Sequence, residues 1–443
     1  MNAPTLTPVR ALSGMERGIY EVDLGAPLNF TTAMRISGPL TAEVVQAALP
    51  AVRARHASLR WRIVRDADHV PCFVEGDAPP LTVRAVQAQT HLPELEREIN
   101  TPIDAEKGPL AQFVLVDCGA AGTWLLATLH HAIGDGMSGA FMCRDLLQAC
   151  AQVVEGRTPS LEPLVSMGAM DETVPSSARG LSGLPHHLRF LFGELWMMLR
   201  HGTPLRVRRD RSEPVPAYER KARLIPRVIE PAEGDRLGTR ARAENTTVHG
   251  ALAAAMILEI IADAGAATGS IAFGSPSNVR AKLEPPVGEQ VGFYASMLAF
   301  RAAVPRDMPF WELARQVRRQ TERSLARGDQ LSVLRLMAAT GGAVMGIGRV
   351  EPKTLIDRWE KRIPATSGLT NIGRLAIETT HGPFSVESSY FAVSPSGLGD
   401  FLATATSVNR RIDWVFTWPD PVMTEAHATA LVDGIVARLR SNF

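Results

Sequence analysis

Apolar residues in the first third of the chain recur at two alternating spacings. Residues 28–36, LNFTTAMRI, alternate with period two and predict a half-buried strand. After Thr41 the stretch AEVVQAALPAVRARH carries apolar positions three and four apart, predicting a helix capped by Thr41. It closes with Arg53, Arg55 and His56, cations suited to a helix C-terminus. Residues 61–64, 111–117 and 124–129 read as further strands, and Gly108-Pro109-Leu110 forms a turn before the second of them. Residues 136–154, GMSGAFMCRDLLQACAQVV, return to the helical period.

Between about 155 and 220 the pattern changes. Pro159, Pro163 and Pro175 mark a connection, followed by LPHHLRFLFGELWMMLRHGTPLRVRRDR. There Leu188, Leu191, Phe192, Leu195 and Trp196 share one helical face, with His186, Arg189 and Glu194 elsewhere. Arg200, Arg206, Arg208, Arg209 and Arg211 follow, so the 184–211 segment is basic and amphipathic. A membrane-surface element or a patch for phosphate or an acidic carrier fits it, as does a solvated helix between lobes. From about 221 the mixed pattern resumes. Thr246 and Thr247 cap an Ala-rich helix reaching about Asp263, residues 270–274 read as a strand, and 291–298 as a turn and strand. An amphipathic helix at 309–326, a strand at 411–417 and a terminal helix at 424–439 complete the reading.

Composition sets bounds on this picture. At 443 residues, two lobes or domains are the prior. A 45% apolar share with 21% charge permits a large core, and a net charge of +1 argues against a nucleic-acid-binding surface. Cys72, Cys118, Cys143 and Cys150 show no C-x-x-C spacing and read as reduced, packing thiols. MNAPTLTPVR lacks the basic-then-apolar pattern of a leader, and no run of 18 apolar residues would span a membrane. The expectation is a cytoplasmic protein without a transmembrane segment.

The candidate chemistry lies where the 124–129 strand meets the 136–154 helix. His130-His131-Ala132-Ile133-Gly134-Asp135-Gly136 sets two imidazoles and a Gly-bracketed turn at a strand end. Chance gives on the order of one H-H-x-x-x-D-G per thousand chains of this size. The other histidine pair, His186-His187, has no Asp-Gly after it. The structural reading is one core histidine and one turn residue. A metal site is poorly served, because adjacent strand residues face opposite ways. Gly136-Met137-Ser138-Gly139-Ala140 lacks the last glycine of a nucleophile elbow, and no phosphate-binding glycine loop occurs.

H-H-x-x-x-D-G resembles the active-site motif of the CoA-dependent acyltransferase superfamily. That group holds peptide-synthetase condensation domains, chloramphenicol acetyltransferase, wax ester synthases and polyketide-associated acyltransferases. Arg55-His56-Ala57-Ser58-Leu59-Arg60 is similar to a second family signature, read here as structural. The arginine of Ser275–Arg280, the V-G segment at 291–298 and Leu369-Thr370-Asn371-Ile372-Gly373 also resemble family blocks in the right order. In the V-G block Ser296 stands where the family has Asn.

The resemblance implies an α/β fold of mixed sheets, with two chloramphenicol-acetyltransferase-like lobes forming a V around a central tunnel. The lobes would span 1–165 and 221–443, joined by 166–220. It implies His131 as general base, with His130 turned to the opposite strand face in support. Asp135 would pair with Arg280 in a buried salt bridge rather than serve a triad, and Gly136 would clear the path of the thioester arm. Ser296 and Asn371 would contact substrate. No cofactor is held permanently. A phosphopantetheine-linked donor, acyl-CoA or acyl-carrier protein, would pass its acyl group to a hydroxyl or amine acceptor that is a small molecule or carrier-bound. A wax ester or alcohol O-acyltransferase is the lipid-type alternative, and a catalytically silent docking module is the alternative from another class.

Overall fold

The computed structural model describes residues 7–178, 180–340, 350–362, 365–375, 377–394 and 400–443. Part of the stretch read for a leader, residues 1–6, lies outside the described residues. Two six-stranded mixed sheets dominate. The first runs, edge to edge, Thr380–His381, Phe384–Val393, Asn29–Ser37, Thr123–His130, Ala111–Asp117 and Val83–Gln87. The second runs Ala295–Pro305, Thr268–Asn278, Ser367–Arg374, Leu402–Val408, Arg411–Asp420 and Lys221–Ile229. A small sheet of Thr7–Ala11, Pro71–Glu75 and Trp61–Arg65 adds Trp61, Ile63 and Phe73 to the core of the first. This is the mixed α/β architecture that the alternating periods predict.

The central strands of the first sheet read as continuous apolar runs because both faces are covered. On Thr123–His130, which we call the motif strand, Leu125, Ala127 and Leu129 join the larger core while Trp124 and Leu126 face the opposite cluster. That second cluster also takes Ala33, Tyr390, Leu224 and Val415, so it is where the two sheets meet. The motif helix, Gly136–Val154, lies on the other face. Gly139 lets it approach closely, since a Cβ there would fall 2.1 Å from Thr32 Oγ1.

One strand departs from the sequence division into lobes. Phe384–Val393 comes from the 221–443 region but pairs antiparallel with Asn29–Ser37, Val393 opposite Phe30 and Ser385 opposite Ser37. The first sheet thus takes two strands that the local pattern did not assign to it. A return connection also arrives from residues 279–294, where Val279, Leu283, Val291 and Phe293 bury themselves in the first core.

Candidate active site

The motif strand ends at His130, and His131–Ile133 forms a short 3-10 turn before the motif helix. His131 is therefore not the next strand residue, as the period-two argument assumed, but the first residue of a tight turn. His130 is fully buried. Its Nδ1 accepts from the Ala132 amide at 3.1 Å, which leaves the proton on Nε2, 3.3 Å from Asp23 Oδ2. Asp23 ends the helix Gly14–Asp23 and also takes the Leu28 amide at 2.7 Å. His130 therefore packs the strand end against that helix.

The half-buried His131 has different company. Its ring lies between those of Phe30, on the first sheet, and Phe293, on the return connection, with centroids 5.1 and 5.4 Å away. Nδ1 stands 2.8 Å from the Gly134 carbonyl oxygen. A carbonyl can only accept, so Nδ1 carries the hydrogen and Nε2 keeps its lone pair. Burial is the largest influence on this imidazole and lowers its pKa; the Gly134 bond and the Asp135 charge offset that only in part. The Gly134 bond thus fixes the orientation of an imidazole whose charged form burial disfavours.

Asp135 caps the motif helix and is saturated. Oδ1 accepts from Ser138 N at 2.8 Å, Ser138 Oγ at 2.8 Å and Arg280 Nη2 at 3.0 Å. Oδ2 accepts from the Tyr294 amide at 3.0 Å. No oxygen of it hydrogen-bonds the His131 ring, so it is not the third member of a triad. Arg280 in turn donates to the carbonyls of Gly288 at 3.1 Å and Gln290 at 2.8 Å, and its guanidinium lies over the Tyr294 ring. Both charges are buried as a pair, with Arg280 Nε alone of the guanidinium nitrogens left without a hydrogen-bond partner. The network pins the segment carrying Phe293 to the turn carrying His131.

Burial alone would raise the Asp135 carboxyl, but Arg280 and the Ser138 donors outweigh it and hold the group below its ordinary range. Its folded pKa lies under the unfolded value of about 3.9, so its stabilisation is fully present above that value. It is lost as pH falls through the folded pKa. Denaturant midpoints measured from pH 6 downward are expected to drop more steeply below about pH 4 in the wild type than in Asp135→Asn. Parallel curves would contradict this.

The condensation-domain family model matches residues 25–167, and that of the phthiocerol/phthiodiolone dimycocerosyl transferase C-terminus matches 222–412. The chain belongs to the CoA-dependent acyltransferase superfamily. It is 28% identical over 326 residues to phosphinothricin tripeptide synthetase PhsC of Streptomyces viridochromogenes, covering 70% of this chain and 28% of that one. It is likewise 28% identical over 333 residues to isonitrile lipopeptide synthase of Mycobacterium tuberculosis, covering 69% of this chain and 12% of that one. The chain thus spans less than a third of the length of these relatives. Among solved structures, polyketide synthase associated protein 5 of Mycobacterium tuberculosis superposes with a TM-score of 0.70 at 15% identity over 98% of each chain. The first condensation domain of the calcium-dependent antibiotic synthetase gives 0.72 at 17% identity, over 98% of this chain and 96% of that one. An epimerization domain of tyrocidine synthetase B also matches, with a TM-score of 0.65 at 14% identity over 98% of each chain. The fold alone does not select a reaction.

The remaining superfamily blocks fall in different places. Arg55, His56 and Arg144 converge on the buried Asp145 of the motif helix: Arg55 Nε at 2.6 Å, His56 Nε2 at 2.9 Å and Arg144 Nη2 at 2.6 Å. Arg55 and Arg144 also reach Glu289 on the return connection, and Ser58 Oγ donates to the Val291 carbonyl at 3.0 Å. The R-H-x-x-L-R string is thus part of a second clasp on the same connection. Ser296 is buried in Ala295–Pro305, with its hydroxyl given to the Gln330 carbonyl at 2.8 Å, and it hydrogen-bonds neither His131 nor Asp135. That placement engages the Ser296 hydroxyl inside the protein. Asn371 Oδ1 accepts from the Gly373 amide at 2.8 Å across a register shift in Ser367–Arg374. The irregular strand brings Ile372 to the start of the motif helix. A Cβ on Gly136 would lie 3.3 Å from Ile372 and from Phe391, so the glycine has a packing reason beside the access expected of it.

Sequence reasoning passed over three residues of this site. Ser138 was set aside with the nucleophile elbow, yet it is the hub joining Asp135, Arg280 and Gly292: Oγ lies 2.7 Å from Arg280 Nη2 and 2.7 Å from the Gly292 carbonyl oxygen. Its signal was its position three residues after a capping Asp. Asp23 and Phe293 carried no local signal, since each acts across a long sequence separation.

Proposed function

We propose that this chain transfers an acyl group from a CoA or carrier-protein thioester to a hydroxyl or amine, with His131 as general base. The observation that carries the reading is the His131 ring itself: Nδ1–H is spent on Gly134, leaving the Nε2 lone pair free. The acceptor X–H gives its proton to Nε2 as X attacks the thioester carbonyl carbon. The tetrahedral oxyanion then collapses, the C–S bond breaks, and Nε2 returns the proton to the departing thiolate. The products are the ester or amide and the free thiol. Donor and acceptor would approach from opposite sides of His131, between Phe30 of the first sheet and Phe293 of the return connection. The assembled His131, Asp135 and Gly136 set speaks against the silent docking reading. Incubation with panels of acyl-CoA and acyl-carrier thioesters, each with alcohols and amines and read by intact mass, tests the proposal. Absence of turnover with every donor would leave the docking reading in its place.

Two outcomes follow for kinetics. The base works only when neutral, and burial has lowered its pKa, so kcat/KM is expected to rise with pH through an inflection below about 6.5 and then stay level to neutrality. An inflection above 7 would point to another group. No acyl-enzyme is needed, and the thiols are poor candidates for one: burial pushes Cys143 and Cys150 up to about 12, while Cys72 and Cys118 are also raised. Initial-rate plots are therefore expected to intersect. Parallel lines, with a trapped acyl-cysteine that reacts on adding acceptor, would refute direct transfer.

A further inference from the structure

The helix Gly180–His201 carries a long apolar stripe on its exposed side. Its inner side carries polar groups: His187 bonds Ser332 Oγ at 3.0 Å and the Ala178 carbonyl at 3.1 Å, and Glu194 pairs with Arg301 of Ala295–Pro305 at 3.1 Å. Its outer side carries Leu188, Leu191, Phe192, Leu195, Trp196 and Leu199, each between 41% and 76% exposed. At about 1.5 Å per residue the element is roughly 33 Å long, so the outward stripe far exceeds a stray surface leucine.

Between this helix, the edge strand Ala295–Pro305 and the helix Phe310–Arg327 runs a groove lined by Arg189, Arg301, Arg319, Arg323 and Arg327. Arg301 and Arg327 are paired with Glu194 and Asp329. Arg189, Arg319 and Arg323 have no ion pair among the described residues, and Arg200 lies over the Trp196 ring. The arginines of the following segment are different in kind. Arg206 and Arg209 bind Glu360, and Arg208 binds Asp210 and Asp263, so they serve the fold and not the patch.

We propose that this face seats the protein on an anionic lipid surface. An apolar stripe rich in leucine and aromatic side chains, beside guanidinium groups without carboxylate partners, meets both demands of that surface: acyl-chain boundary for the stripe, phosphate headgroups for the arginines. A second copy seated symmetrically on the same face would bring arginine against arginine. The inference does not depend on the chemistry at His131.

Co-sedimentation tests it, using the full chain with vesicles of phosphatidylcholine alone or mixed with phosphatidylglycerol. The wild type is expected to bind the mixed vesicles at least about tenfold more tightly than the neutral ones, with the difference shrinking at high salt. Phe192→Ser combined with Leu195→Ser and Trp196→Ser should weaken binding to the mixed vesicles at least about tenfold. Arg319→Glu with Arg323→Glu should remove the preference for phosphatidylglycerol. All substituted positions are exposed, and unchanged circular dichroism and thermal midpoints would show that the fold is retained. Failure of the wild type to bind mixed vesicles at low salt, or equal binding by the triple variant, overturns the proposal. So does a wild-type dimer in sedimentation velocity that the triple variant abolishes without any vesicle binding, which would assign the face to a second copy.

Discussion

Replacing His131 by alanine is expected to lower turnover by about 10²–10⁴-fold while the protein stays folded, the range for loss of a general base. The side chain is half-buried and its one hydrogen bond is to Gly134 within its own turn, so little of the fold depends on it. The loss should fall on kcat rather than KM, because the proton is taken only as the bond forms. The pH inflection should vanish with the imidazole. His130→Ala makes the contrasting case. That ring is fully buried against Asp23 and the Ala132 amide, so its removal should lower the thermal midpoint first. Near-normal rates in a verified assay of His131→Ala would remove it from the mechanism.

Arg280→Ala is expected to destabilise the protein by about 3–5 kcal/mol, as does removing one partner of a buried ion pair. The Asp135 carboxylate would keep its bonds from Ser138 and Tyr294 but lose its cation, and the Gly288 and Gln290 carbonyls would lose their donor. Arg280→Lys should recover only part, because an ammonium cannot reach two carbonyls, Ser138 Oγ and the carboxylate with the geometry of a guanidinium. Rate should fall too, since the released segment carries Phe293 to the edge of the His131 ring. A double-mutant cycle with Asp135→Asn, followed by urea denaturation, measures the coupling. Additive effects of the two substitutions, or an Arg280→Ala variant neutral in both stability and rate, would show that the pair does not bridge these elements.

Much of this was legible in the chain, unevenly and for identifiable reasons. The motif helix and Val248–Asp263 have the predicted limits because cap residues and period agree there. Gly14–Asp23 went unread although Ser13 and Glu16 spell a capping box, both halves of which form. Phe384–Val393 has plain strand composition, but nothing local says that its partner is Asn29–Ser37. Arg280 was found through its family block, whereas the carbonyls and ring that hold it come from residues eight to fourteen positions on. The place of Ser296 in its block says nothing of where its hydroxyl points, which is at Gln330. Single-element chemistry could be read from spacing; contacts made between elements could not.

The late strand Phe384–Val393 has a consequence for the order in which the protein is made. Its register against Asn29–Ser37 completes the sheet whose next strand presents the His131 turn. A ribosome finishes that strand roughly 250 residues after His131, which at about 5–20 residues per second is on the order of 10–50 s. Through that interval the nascent chain offers the open edge of Asn29–Ser37, a row of unmatched amides and carbonyls. Such an edge is a template for mispairing. Newborn chains on crowded polysomes would therefore be exposed to strand exchange between neighbours, and overproduction at speed should favour aggregates seeded there. Weaker initiation, which spaces nascent chains apart on the message, is the direct remedy, because slower elongation would lengthen the exposed interval.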